Sequence, residues 1–122
     1  MKAIEKLTDA DIVKELAEWM GWEVSDDGFS WCDGTAGECL CAVDDFNPLL
    51  DANDMLMVVE AMVEKGWSMK MDCWRTKEGL RANCRWRLLC CEEGHVNFYP
   101  DTPCRAVCLA ALKAIRAMKE TK

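Results

Sequence analysis

The sequence predicts an α+β fold in which amphipathic helices pack on a three-stranded antiparallel sheet, in the order α, hairpin, α, β, β, β, α. Three observations carry that prediction. Apolar residues recur at helical spacing in three segments bounded by caps and glycines: Asp9 to Met20, Asp51 to Lys65, and from Thr102 onward. Between the last two of these, three segments alternate apolar with polar residues, as strands with one covered face do. The 122 residues, 51% hydrophobic and 30% charged, suffice for one ordinary core, so residues 1–122 are read as a single α+β domain.

The first helix follows Thr8, a capping residue, with Asp9 and Asp11 placed where carboxylates favour the positive end of the helix dipole. Ile12, Val13, Leu16, Ala17 and Met20 form its apolar stripe and Gly21 ends it, after which Trp22 is expected to fold back as a closing contact. From Glu23 to Phe46 the helical period is lost. Gly28, Gly34, Gly37 and two Asp-Gly pairs punctuate the segment, while Phe29 and Trp31 alternate with Ser30 before Leu40 and Val43. This pattern predicts an irregular β-hairpin whose tip, Asp33 to Gly37, is exposed and mobile.

Asn47-Pro48 marks the entry to the second helix, where Met55, Val58, Val59, Met62 and Val63 share a face before Gly66. Strands are expected at Trp67 to Trp74, Leu80 to Leu89 and Val96 to Tyr99, with Arg75 to Gly79 as the first hairpin loop and Glu93-Gly94 as the second turn. Thr102-Pro103 opens the third helix with cap and first-turn proline in the favoured order. Cys104, Val107, Cys108, Ala111, Leu112, Ile115 and Met118 lie on its apolar face, and Arg105, Lys113, Arg116 and Lys119 are expected on the far one.

Several of these segments occur in a recognisable combination. LAEWMGW at Leu16 to Trp22, the tryptophan-bearing excursion at Trp31 to Gly34, FNP at Phe46 to Pro48 with Asp51 three positions on, Val58-Val59-Glu60 with Met62 ahead of Gly66, and TPCRAVCLAAL at Thr102 to Leu112 together resemble the phage ABA-sandwich family of small phage and prophage proteins. The resemblance implies an ABA-sandwich-like fold, a phage or prophage origin and a place in the cytoplasm of a bacterial host. It supplies no catalytic residues. Leu49 departs from the small polar residue usual after the proline, and most of the other cysteines are not features of that family.

The opening MKAIEKLTDAD is polar and charged, unlike a secretory leader, and charge interrupts every apolar run well short of a membrane span, so an intracellular chain without a membrane role is expected. Nine cysteines are an odd number and are expected as free thiols in a reducing compartment. No phosphate-binding glycine loop, dinucleotide fingerprint or zinc-protease motif occurs. His95, the only histidine, follows Glu92-Glu93-Gly94 at a turn, where a solvated ring is ordinary, so no catalytic Cys/His pair is read and the chain is expected not to be an enzyme.

Residues 1–66 carry 4 Lys against 16 acidic residues, and residues 67–122 carry 11 basic against 6 acidic. The overall charge of −7 argues against general nucleic-acid binding, and a third helix beginning Thr102-Pro103-Cys104-Arg105 offers phosphates a single cation. Charge mimicry of nucleic acid by the acidic half is a minor alternative. Within the basic half, Arg81, Arg85 and Arg87 have the parity opposite to Ala82, Cys84, Trp86 and Leu88, so they are expected on the open face of the sheet, with Arg75 and Lys77 in the preceding loop. These five residues are the candidate surface for an acidic partner protein, a host bacterial protein on the resemblance, or for an anionic ligand, with the guanidinium groups suited to bidentate carboxylate or phosphate contacts. The competing expectation is a zinc-stabilised module. It would draw ligands from Cys32, Cys39 and Cys41 together with Cys90, Cys91 or His95, although no C-x-x-C knuckle is present.

Overall fold

A computed structural model describes residues 3–34, 38–88 and 97–120. It contains helices α1 (Asp9–Trp19), α2 (Ala52–Glu64) and α3 (Pro103–Glu120), and strands β1 (Trp22–Val24), β2 (Ser30–Asp33), β3 (Cys39–Ala42), β4 (Trp67–Thr76), β5 (Gly79–Leu88) and β6 (Asn97–Asp101). The class is α+β in the expected order, with one strand more than the sequence suggests. Two compact units make up the chain, Met1–Asn47 and Pro48–Lys122. Among the described residues no helix is long and apolar enough to cross a membrane.

In the first unit a capping box starts α1. Thr8 Oγ1 accepts from the Asp11 N–H at 3.1 Å, and Asp11 Oδ2 accepts from the Thr8 N–H at 3.4 Å. The helix buries Ile12, Leu16 and Ala17. After Gly21, at φ +89°, the chain enters an antiparallel sheet of order β1-β2-β3, in which Trp22 pairs with Asp33 and Trp31 with Cys41. Strand β1 was not anticipated because Val24 stays exposed and three residues give alternation nothing to register on. Trp22 opens this strand, and its ring centroid lies 4.7 Å from that of Phe46 and 6.4 Å from that of Trp31, so its main partners are aromatic.

The β1–β2 turn is held by Asp27, whose carboxylate accepts from the Ser25 hydroxyl and from the Phe29 N–H. Those two donors hold its carboxyl below the usual range. At the other end of β2, Gly34 donates its N–H to Gly21 O at 2.9 Å, and a Cβ there would stand 2.6 Å from that oxygen. The start of the expected mobile tip is therefore docked on backbone. The rest of that tip, residues 35–37, lies outside the described residues.

In the second unit Asp51 caps α2, its Oδ1 accepting from the Asn53 N–H at 2.8 Å and the Asp54 N–H at 3.4 Å. The helix buries Val58 and Met62. The second sheet has order β4-β5-β6 and is antiparallel throughout. Its first ladder runs from Trp67 opposite Leu88 to Thr76 opposite Gly79, so the turn is only Lys77-Glu78 and Arg75 belongs to the strand instead of the expected loop. Thr76 makes this short reversal possible by accepting from the Glu78 N–H and donating to Gly79 O, while Gly79 takes φ +127°.

Helix α3 lies over β5 and β6 and beside α2, which covers part of β4. The Trp86 Nε1–H donates to Val107 O at 3.3 Å, and the Cys108 thiol donates to Pro48 O at 3.4 Å. Of the basic far face expected on α3, Lys113 and Lys119 are exposed, but the face is not a solvated one. Residues 106–116 are all buried except Lys113, with Arg116 only 8% exposed, and Arg105 is ion-paired with Asp101 at 3.4 Å. Ala106, Ala110 and Ala114 interrupt that side with short side chains, which lets packing approach the helix there too.

Candidate binding face

Alternation along β5 divides its residues cleanly. Ala82, Cys84, Trp86 and Leu88 are buried under the helices, which leaves Arg81, Asn83, Arg85 and Arg87 on the opposite face. The ladder sets the even residues of β4 beside them: Ser68 opposite Arg87, Lys70 opposite Arg85, Asp72 opposite Asn83, and Trp74 opposite Arg81. Three cations, Lys70, Arg85 and Arg87, thus share one sheet face, toward its Trp67–Leu88 end, with Asp72, Asn83 and Trp74 further along.

Arg81 reaches Glu78 at 3.4 Å, but that carboxylate is 83% exposed and such a pair contributes about 0–1 kcal/mol. Lys70 stands directly across from Arg85, an arrangement that like charges disfavour. Beside them Asn83 Oδ1 is buried with no hydrogen-bond partner among the described residues, a local cost of about 1–3 kcal/mol.

Of the five cations singled out from the sequence, the fold brings Arg81, Arg85 and Arg87 together. Lys77 sits in the turn. Arg75, exposed in β4 opposite Leu80, has the parity of the helix-covered face. Sequence reasoning missed Lys70 and Trp74, the latter 43% exposed. The signal that could have found them is the two-residue turn, which fixes the register and so the parity of every β4 residue.

The thiols distribute differently. Cys32 and Cys39 face each other across β2 and β3 with their sulfurs 3.6 Å apart, and both are free. The Cys39 thiol, followed by burial and the nearby negative charges of Cys39, Asp27 and Asp26, pushes the Cys32 thiol up. Cys41 lies two residues along β3, opposite Trp31. Cys90, Cys91 and His95 lie outside the described residues, and among the described residues no group of three His, Cys, Asp or Glu side chains could hold a metal ion. The remaining described cysteines follow their packing. Cys84 is buried and its thiol is pushed up to about 12 by burial alone, while Cys108 is pushed up further and Cys104 also upward, each chiefly by burial. Cys73 is exposed on β4.

A concavity of about 200 Å³ in the first unit is lined by Asp9, Val13, Trp31, Val43, Asp44 and Phe46. It falls below the ~300 Å³ at which small-molecule sites usually begin. No family model, no curated protein and no solved structure matches the chain.

Proposed function

We propose that the chain is a non-enzymatic binding module whose open sheet face, through Lys70, Arg85 and Arg87, engages an acidic surface of another protein. The observation that carries this reading is the placement of Lys70, Arg85 and Arg87 on one sheet face, with the exposed Lys70 directly across the ladder from Arg85, a spacing that suits a carboxylate set between them. The Asn83 Oδ1 at the same place, buried and without a hydrogen-bond partner among the described residues, supports it, since departures from local stability concentrate where a face serves a partner. A folded acidic surface suits the face better than nucleic acid does, because the chain as a whole carries −7 and would repel a polyanion beyond the patch. On the resemblance to small phage proteins, the partner is a bacterial host protein and the site of action the host cytoplasm.

The test is affinity capture from a bacterial lysate with the wild type and the Arg85→Glu/Arg87→Glu variant side by side, quantified by mass spectrometry. Loss of one or more acidic proteins from the variant is the expected result. Equal recovery of every captured protein by both baits would refute it.

A further inference from the structure

We propose that the chain forms a two-fold dimer by antiparallel pairing of β4 with β4 of a second copy, in the register that sets Lys70 of each copy opposite Asp72 of the other. The sheet of the second unit has two edges, and they are not equivalent. Because a two-residue turn makes Thr76 and Gly79 a hydrogen-bonded pair and such pairs alternate, the even residues of β4 spend their backbone groups on β5. The odd residues, Trp67 to Arg75, point theirs away from the sheet. By the same alternation the even residues of β5 bond to β6, so that Phe98 and Pro100 turn their backbones outward at the other edge. Pro100 has no N–H to offer there, which blunts that edge. Strand β4 lacks a proline, and its exposed charges, Lys70, Asp72 and Arg75, restrict pairing to a partner strand that matches them. It is twice as long, contains neither proline nor bulge, and every residue from Lys70 to Thr76 is exposed, Met71 and Trp74 included.

Charge selects the register. Among the described residues neither Lys70 nor Asp72 makes an ion pair within its own chain, and both are exposed. A two-fold centred on Lys70 sets lysine against lysine, and one centred on Asp72 sets aspartate against aspartate. Centres at Met69 or Cys73 leave Lys70 facing Ser68 or Thr76. Only the centre at Met71 opposes both charges at once, and it does so near the midpoint of the strand, where overlap is greatest. The two Lys70–Asp72 contacts then occupy non-hydrogen-bonded positions, where facing side chains come closest, at about 4.5 Å between Cα atoms. On the other face Met71 meets its counterpart and Met69 meets Cys73. The product is a continuous six-stranded sheet. The pairing shares Lys70 with the acidic-partner reading, but its test is the oligomeric state, so the failure of either is read separately.

Sedimentation and light scattering across micromolar to tenth-millimolar concentrations test it. The wild type is expected to be a dimer. Lys70→Asp alone and Asp72→Lys alone each set like charges face to face and are expected to weaken the dimer at least about tenfold. The double variant Lys70→Asp/Asp72→Lys, with the net charge of the wild type, is expected to restore it. Met71→Pro removes only an outward N–H and is expected to give a folded monomer by circular dichroism. A wild type that stays monomeric throughout overturns the proposal, as does a dimer indifferent to both single reversals or a double variant that fails to recover.

Discussion

The assignment of faces in the second sheet can be tested with two tryptophans of opposite placement. Trp86 is fully buried on β5 and its indole N–H donates to Val107 O, which ties the sheet to α3. Trp74 lies on the other face of β4 and is 43% exposed. Replacing Trp86 with Phe removes one buried hydrogen bond, worth about 0.5–1.5 kcal/mol, and leaves a void that costs roughly 2 kcal/mol more in a core that relaxes only partly. The expected loss is therefore about 2–4 kcal/mol. Trp74→Phe removes no buried contact and should stay within about 0.5 kcal/mol of the wild type. Urea unfolding followed by far-ultraviolet circular dichroism reads both. At a slope of about 1.5 kcal/mol/M, the Trp86 variant should unfold roughly 1.5–2.5 M earlier and the Trp74 variant at a nearly unchanged midpoint. A larger shift for Trp74 than for Trp86 would mean that the parity of β4 and β5 is inverted, and comparable shifts that the sheet is covered on both faces. Either result would remove the open basic face.

Three further outcomes follow from the same structure. Gly34→Ala places a Cβ against Gly21 O and breaks the docking hydrogen bond, so it should lower stability by about 1–3 kcal/mol in the same urea assay, an effect absent if the hairpin tip is free. Burial raises the Cys84 thiol from 9.0 to about 12, so the unfolded chain loses that proton first. Stability from this group is complete below pH 9 and drains away as pH climbs toward 12. Alkaline melts should show that decline, and Cys84→Ala should make it shallower, leaving the part that Cys108 and Cys104 contribute. Oxidised glutathione should close Cys32 and Cys39 into a disulfide by exchange, each pair of thiols releasing two glutathione thiols, once the sulfurs move from 3.6 Å to a bond of about 2.05 Å. Peptide mapping reads the bridge. The raised Cys32 thiol makes the exchange faster at pH 9 than at pH 7, and a Cys32–Cys39 peptide that never forms would show that the two strands do not present these thiols to each other.

Much of the fold was legible because its signals are local. Thr8 and Asp51 stand at helix starts with side chains that satisfy nearby N–H groups, Thr102-Pro103 announces a third start by its first-turn proline, and the β5 alternation reads directly as one buried and one open face. What escaped depends on pairing at a distance. Strand β1 exists only through its backbone bonds to β2, and the membership of Arg75 in β4 hinges on how Thr76 and Gly79 close the turn. The burial of Arg116 could not be read from helical period, which reports only the most apolar face. For the same reason three of the five anticipated cations gather on the binding face, while Lys70 and Trp74 emerge only once the register is known.

The central claim, that the open sheet face is what meets an acidic partner, is tested most directly by photo-crosslinking from that face. A photoreactive amino acid at Ser68, which lies across from Arg87, is compared with one at Glu60, exposed on α2. In a host lysate the account predicts a discrete adduct with an acidic protein from position 68, absent from position 60 and abolished by Arg85→Glu/Arg87→Glu. Equal adducts from both positions, or an adduct at 68 that survives the charge reversal, would contradict it.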